Sequence, residues 1–224
     1  MELHIDKMVR HLHEGMAEMA KMTEDSFRQS VQALLENDPD LAKKIPDLDL
    51  AIDAKELELD QLVTEFIITE NPLASDLRLT RVIGMVTTDL ERIGDIAVRI
   101  SGDFIDVDHT PDPQIRELLG KMCDHALSLL RDACNFQENK TEESLRAIIE
   151  RDQTLNGLFQ QFCEHVLTGM EKDPSFVRVG SLLLHTGYRI ERVGDHAKHI
   201  AEDLIYLITA KDIRHEDKLA GDHH

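Results

Sequence analysis

Apolar positions along this chain recur at helical spacing almost from its first residues. Met8, Leu12, Met16, Met19, Met22, Phe27, Val31 and Leu34 step by three, four or five residues, the stripe of a long helix with one buried face. Asn37-Asp38-Pro39-Asp40 ends that helix with turn chemistry. A second helix is predicted from about Leu41 to Thr69, with Pro46 either interrupting it or seated in its first turn. Asn71-Pro72 breaks the chain again, and a third helix carries Leu77, Leu79, Val82, Ile83, Val86, Leu90, Ile93, Ile96 and Ile100 to about Ile105. After an Asp- and Pro-rich linker at 106–113 the pattern returns. Helices are predicted over about Gln114–Gln137, Glu142–Thr168 and, past a Lys-Asp-Pro break at 172–174, to about Ala210.

The expectation is therefore an all-α chain of six long helices in two tandem units, residues 1–106 and 113–210, followed by a polar, disordered tail at 211–224. An internal repeat supports the division. DLERIGDIAVRISGDFI (89–105) and RIERVGDHAKHIAEDLI (189–205) share Glu, Arg, Gly, Asp, Ala, Ile, Asp and Ile at an offset of 100. A weaker echo at an offset of 103 pairs Met19 with Met122, Arg28 with Arg131, Ile45 with Ile148, Asp49 with Asp152 and Val63 with Val166. The offset changes at the break before the third helix, where a length difference costs little.

Composition narrows the function. Aromatic residues make up 4% of the chain and Trp is absent, which suits helices packed through aliphatic side chains. The balance of 25 Lys and Arg against 44 Asp and Glu gives a net charge of −19, which repels nucleic acid and anionic membranes and favours cations or basic protein surfaces. Three cysteines without a Cys-x-x-Cys pair, Cys123, Cys134 and Cys163, suit a reducing compartment. The N-terminal MELHIDKMVRHLHEG lacks a signal core and no apolar stretch approaches the ~20 residues of a membrane span, so a cytoplasmic location is expected. His4, His11 and His13 read as solvent-exposed, and the methionines of the first helix as core.

The chemistry concentrates in the repeat. Glu91 and Asp95, like Glu191 and Asp195, stand four residues apart and share a helix face. Between them lie Gly94 and Gly194, where helix propensity disfavours glycine by roughly 1 kcal/mol against Ala. Clustered oxygen ligands needing close backbone approach would account for both features. The second helix offers Asp49 and Asp53, extended by Glu56 and Asp60, and the second unit has Asp152 and Asn156. If the second and third helices of each unit pack antiparallel, these groups face each other. An all-oxygen set suits Mg²⁺, Mn²⁺ or iron, and His196 and His199 are candidate additional ligands in the second unit. Ion-pair networks through Arg92 and Arg192 are the alternative account of the same acids. A Gly-rich phosphate loop, a Gly-x-Ser-x-Gly and a Glu-x-x-His pair are all missing, so no enzyme is expected.

The segments NPLASDLRL (71–79), DLERIGDIA (89–97) and IERVGDHAKHIAEDL (190–204) closely resemble the PhoU family, the phosphate-specific transport system accessory proteins. The resemblance spans nearly the whole chain and implies two pseudo-symmetric three-helix bundles in a cytoplasmic, commonly dimeric protein. It further implies multinuclear metal clusters (Mg, Mn, Fe or Zn) held by Glu91 and Asp95 with Asp49 and Asp53, and by Glu191 and Asp195 with Asp152 and, as the departure from the family pattern, Asn156. By the same resemblance the chain is a negative regulator of the phosphate-starvation response, with the ATPase subunit of a phosphate ABC transporter and a membrane sensor histidine kinase as partners. A further departure is Phe176-Val177-Arg178, where the first unit has Asp76-Leu77-Arg78. A metal-storage or metal-dependent hydrolytic protein, and an accessory of another ion or phosphate transporter, are the other readings.

Overall fold

The computed structural model describes residues 4–104, 112–135 and 140–214. Helix α1 (His4–Glu36) stops where Asn37 adopts a left-handed backbone, φ 57°. Asp38 then caps a single turn, α2 (Pro39–Ala42), its carboxylate accepting from the backbone N–H of Asp40 and Leu41 at 3.0 Å. The predicted second helix is interrupted here and restarts as α3 (Ile45–Glu70). Pro46 is the cause: it has no N–H for the Ala42 carbonyl, and its fixed φ suits a first turn. Asn71, with φ 48°, ends α3, and α4 runs Ser75–Phe104.

The second unit repeats the plan. Asp112 caps α5 (Pro113–Cys134), and Thr141 and Ser144 form a reciprocal capping box on α6 (Glu142–Lys172). Helix α6 runs a turn beyond the expected Thr168 because the stop is Asp173-Pro174, whose Asp173 N–H still bonds the Gly169 carbonyl at 3.0 Å. A 3₁₀ turn (Pro174–Phe176) leads into α7 (Val177–Thr209), which ends at a left-handed Ala210. Of the expected linker, residues 106–111 lie outside the described residues, as do 136 and 137 at the predicted end of α5 and 215–224 of the tail. Residues 211–214 are held: Ile213 is buried, and Arg214 pairs with Asp212 at 2.5 Å and with Asp203 at 3.9 Å.

Six long helices thus form two three-helix bundles, α1/α3/α4 and α5/α6/α7, joined by α4 against α7 and α1 against α5. No strand occurs among the described residues. The stripe of α1 is core, with Leu12, Met16, Met19, Phe27 and Val31 at 2% exposure or less. Burying each such side chain contributes roughly 1.5–3 kcal/mol. Cys123, Cys134 and Cys163 are all free thiols. Burial pushes Cys123 and Cys134 up to about 12, leaving them unreactive. Of the N-terminal histidines, His11 is exposed and His13 half-buried.

Polar ties cross the junction between bundles. Glu24, nearly buried on α1, accepts from Arg131 of α5 at 2.6 Å and also pairs with Arg28. Arg78 donates to the Leu207 carbonyl at 3.1 Å, and Arg81 lies 5.0 Å over the Tyr206 ring. Arg178, the repeat partner of Arg78, is exposed.

Candidate metal centres

Each bundle brings its second and third long helices together as an antiparallel hairpin, and the repeated glycine marks a point of close approach. A Cβ on Gly94 would lie 2.7 Å from Asp49 Oδ1 and 3.2 Å from Ile52 Cδ1. On Gly194 it would lie 2.4 Å from Leu155 Cδ2 and 3.0 Å from Asp152 Oδ1. Asp49 and Asp152, and Ile52 and Leu155, correspond at the offset of 103, while the glycines correspond at 100. The two repeats found separately in the sequence therefore meet at one structural position. Glycine is required there so that a carboxylate on one helix can lie against the backbone of the other.

In the first bundle Asp49 and Asp53 of α3 face Glu91 and Asp95 of α4. Burial, then repulsion from Asp53, Asp95 and Glu91, pushes the Asp49 carboxyl up to about 6. Glu91 is raised by burial, Asp95 and Asp53, and Glu56 by burial, Glu91, Asp60 and Asp53. Glu56 and Asp60 thus extend the same acidic surface. Two basic residues oppose this charge: Arg99 reaches Asp95 at 2.9 Å, both side chains about half exposed, and Arg92 and Arg99 both lower the Glu91 carboxyl. Arg92 also lies 3.9 Å from Asp89 Oδ1.

The second cluster is smaller and deeper. Asp152 is 4% exposed, and burial followed by Asp195 raises its carboxyl against the pull of Lys198, His125 and His199. Glu191 is pushed up to about 7 by burial, Asp195 and Asp152. Asn156 lies one turn after Asp152 on the same face of α6. At the offset of 103, Asn156, Phe159 and Cys163 replace Asp53, Glu56 and Asp60, so apolar and neutral groups replace charge.

Asp49 Oδ1, Asp152 Oδ1, Asn156 Oδ1 and Glu191 Oε2 are buried without a hydrogen-bond partner. Buried oxygens are ordinarily satisfied, and four acceptors left open at two equivalent crossings make a donor set suited to a hard cation. Such an ion would neutralise the mutual repulsion within each cluster. In the first the residues available to hold it are Asp49, Asp53, Glu91 and Asp95, with Glu56 adjoining. In the second they are Asp152, Asn156, Glu191 and Asp195.

The two histidines part company. His199 is exposed on α7, near enough to Asp152 to help lower its carboxyl. His196, one residue after Asp195 and so about 100° around the helix, turns away from the second cluster and toward α4. Its Nδ1 lies 2.8 Å from Asp89 Oδ1. Asp89 is the residue that sequence reasoning overlooked, because its repeat partner is Arg189 and the repeated spacing of the acids does not include it.

Comparison with known proteins agrees with both the duplication and the fold. The PhoU domain matches this chain twice, over residues 16–103 and 119–204. A phosphate-specific transport system accessory protein PhoU homolog of Rhizobium meliloti is 29% identical, covering 91% of this chain and 86% of its own length. The Escherichia coli protein, phosphate-specific transport system accessory protein PhoU, is 29% identical over 88% of this chain and 82% of its own. The crystal structure of PhoU from Pseudomonas aeruginosa superposes with a TM-score of 0.86 at 23% identity, covering 93% of this chain and 100% of that one. PhoU from Streptococcus pneumoniae gives 0.85 at 22% identity, over 93% and 99% of the two chains. Among the described residues no helix is long and apolar enough to cross a membrane. With both three-helix units matched, this chain belongs to the PhoU family.

Proposed function

We propose that this chain is an accessory protein of a phosphate-specific transport system and a negative regulator of the phosphate-starvation response. Its partners in this reading are the transporter's ATPase subunit and a sensor histidine kinase, on the cytoplasmic side of the membrane and as a dimer. Family membership supports the transport role, carried by the double match to the PhoU domain. The names of relatives such as the Rhizobium meliloti and Escherichia coli proteins point to phosphate transport. The paired carboxylate clusters support cation binding as part of the regulatory state, through the open oxygens of Asp49, Asp152, Asn156 and Glu191. With an ion bound, α3 would be held to α4 and α6 to α7 without charge repulsion.

The test is genetic. Deleting the gene should switch on a phosphate-starvation reporter in high phosphate, and the wild-type gene should restore repression. Unchanged reporter expression in the deletion strain would remove the proposal. Pull-down of the full-length protein from cells grown at high and low phosphate separates the ATPase subunit and kinase from the partners of another transporter. Elemental analysis of the same preparation reports the cation.

A further inference from the structure

We propose that Asp89, His196 and His199 form a third cation site, distinct from the two carboxylate clusters, which binds a divalent ion of the zinc type at the junction of the bundles. Asp89 comes from α4 of the first bundle and both histidines from α7 of the second. One donor atom from each lies within 4.8 Å of the other two. Asp89 is 6% exposed and His196 3%, whereas His199 stands at the surface and gives an ion a way in.

Two observations point to a ligand. His196 Nε2 is buried without any hydrogen-bond partner, while Nδ1 is held by Asp89 at 2.8 Å. A ring fixed by a carboxylate at one nitrogen and open at the other is the usual arrangement around a coordinated imidazole. Charge provides the second. Asp203, also buried on α7, lies close enough to Asp89 for the two carboxylates to repel. A cation beside Asp89 relieves that repulsion. Two imidazoles, one of them held through Nδ1 by the Asp89 carboxylate, suit Zn²⁺, Co²⁺ or Fe²⁺ better than Mg²⁺, so this centre selects differently from the all-oxygen clusters.

Pseudo-symmetry isolates the site. The repeat partners of Asp89, His196 and His199 are Arg189, Ile96 and Arg99. At that related position Arg189 donates to the Arg99 carbonyl at 3.2 Å, so a guanidinium stands in place of the carboxylate and an isoleucine in place of the buried imidazole. One nitrogen-ligated ion per chain is therefore expected, bridging the two bundles.

The experiment is long-range ¹H–¹⁵N NMR of the imidazoles in the full chain, first stripped with EDTA and then titrated with Zn²⁺. Both His196 and His199 should show the ¹⁵N shift of zinc ligation. They should also do so in a variant carrying Asp95→Asn with Asp195→Asn, which weakens the carboxylate clusters. His199→Ala, a change at an exposed position, should weaken this binding by about tenfold or more, the usual scale for altering a metal's coordination shells, and Asp89→Asn should also weaken it. Absence of the shift at His196 in the wild type overturns the proposal. So does loss of both histidine shifts in the Asp95→Asn, Asp195→Asn variant, which would place His199 in the second carboxylate cluster. The failure of cation binding at the clusters alone leaves the histidine signal intact, so the two readings are separable.

Discussion

Gly94 and Gly194 sit in helix interiors, where alanine would gain roughly 1 kcal/mol of propensity. Their surroundings decide the outcome differently. A methyl on Gly194 meets Leu155 Cδ2 at 2.4 Å, and Leu155 is fully buried. Overpacking of this kind costs roughly 1–3 kcal/mol, so Gly194→Ala should lower stability by about 1 kcal/mol in urea unfolding. On Gly94 the nearest atom is Asp49 Oδ1 at 2.7 Å, the tip of a side chain that can swing aside. Gly94→Ala should leave stability nearly unchanged and reduce Mn²⁺ affinity measured by calorimetry. A more stable Gly194→Ala protein would refute the close-approach argument.

At the scale of elements, α7 carries two different demands, a cluster toward α6 and a polar seam toward α4. Asp203 lies in the seam. Burial, then Asp89 of α4 and more weakly Glu202 and Asp212, pushes its carboxyl up to about 7 against the pull of Arg214. In the unfolded chain an Asp loses its proton near 3.9. Between these values the folded state holds the extra proton, so the contribution of Asp203 to stability falls as pH rises from about 4 to 7 and then levels. In EDTA, Asp203→Asn should raise the melting temperature at pH 8 and leave it little changed at pH 4. The expected rise is about 2–4 °C for each kcal/mol of repulsion and burial cost relieved in a chain of this size. An unchanged melting temperature at pH 8 contradicts this assignment.

For the whole molecule, duplication has produced two unequal carboxylate clusters from one plan. The first gathers Asp49, Asp53, Glu56, Asp60, Glu91 and Asp95 on a partly open surface, while the second has three acids, Asn156 and deeper burial. Exposed charge is screened by salt and buried charge much less. Pairs of Asp→Asn changes at residues 49 and 95, or at 152 and 195, leave one centre to be titrated alone. About a tenfold rise in NaCl should weaken Mn²⁺ binding at the first centre more than at the second. Equal salt dependence at both would show that the difference in burial has no consequence.

Much of this was legible along the chain, because helical periodicity, capping residues and the spacing of acids are relations between near neighbours. The six helices, their breaks at Asn37, Asn71 and Pro174, and the duplicated Glu-x-x-x-Asp face all follow from such relations. Helix spacing also put Asp49 and Asp53 on one face, and Glu191 and Asp195 on another. Periodicity assigns a residue to a face of its own helix and leaves open which neighbour that face meets. Only the tertiary structure placed Asp49 against Gly94, and only it carried His196 away from Asp195 to Asp89, 107 residues earlier. That contact depends on how α4 crosses α7, which packing between bundles decides and no local pattern encodes.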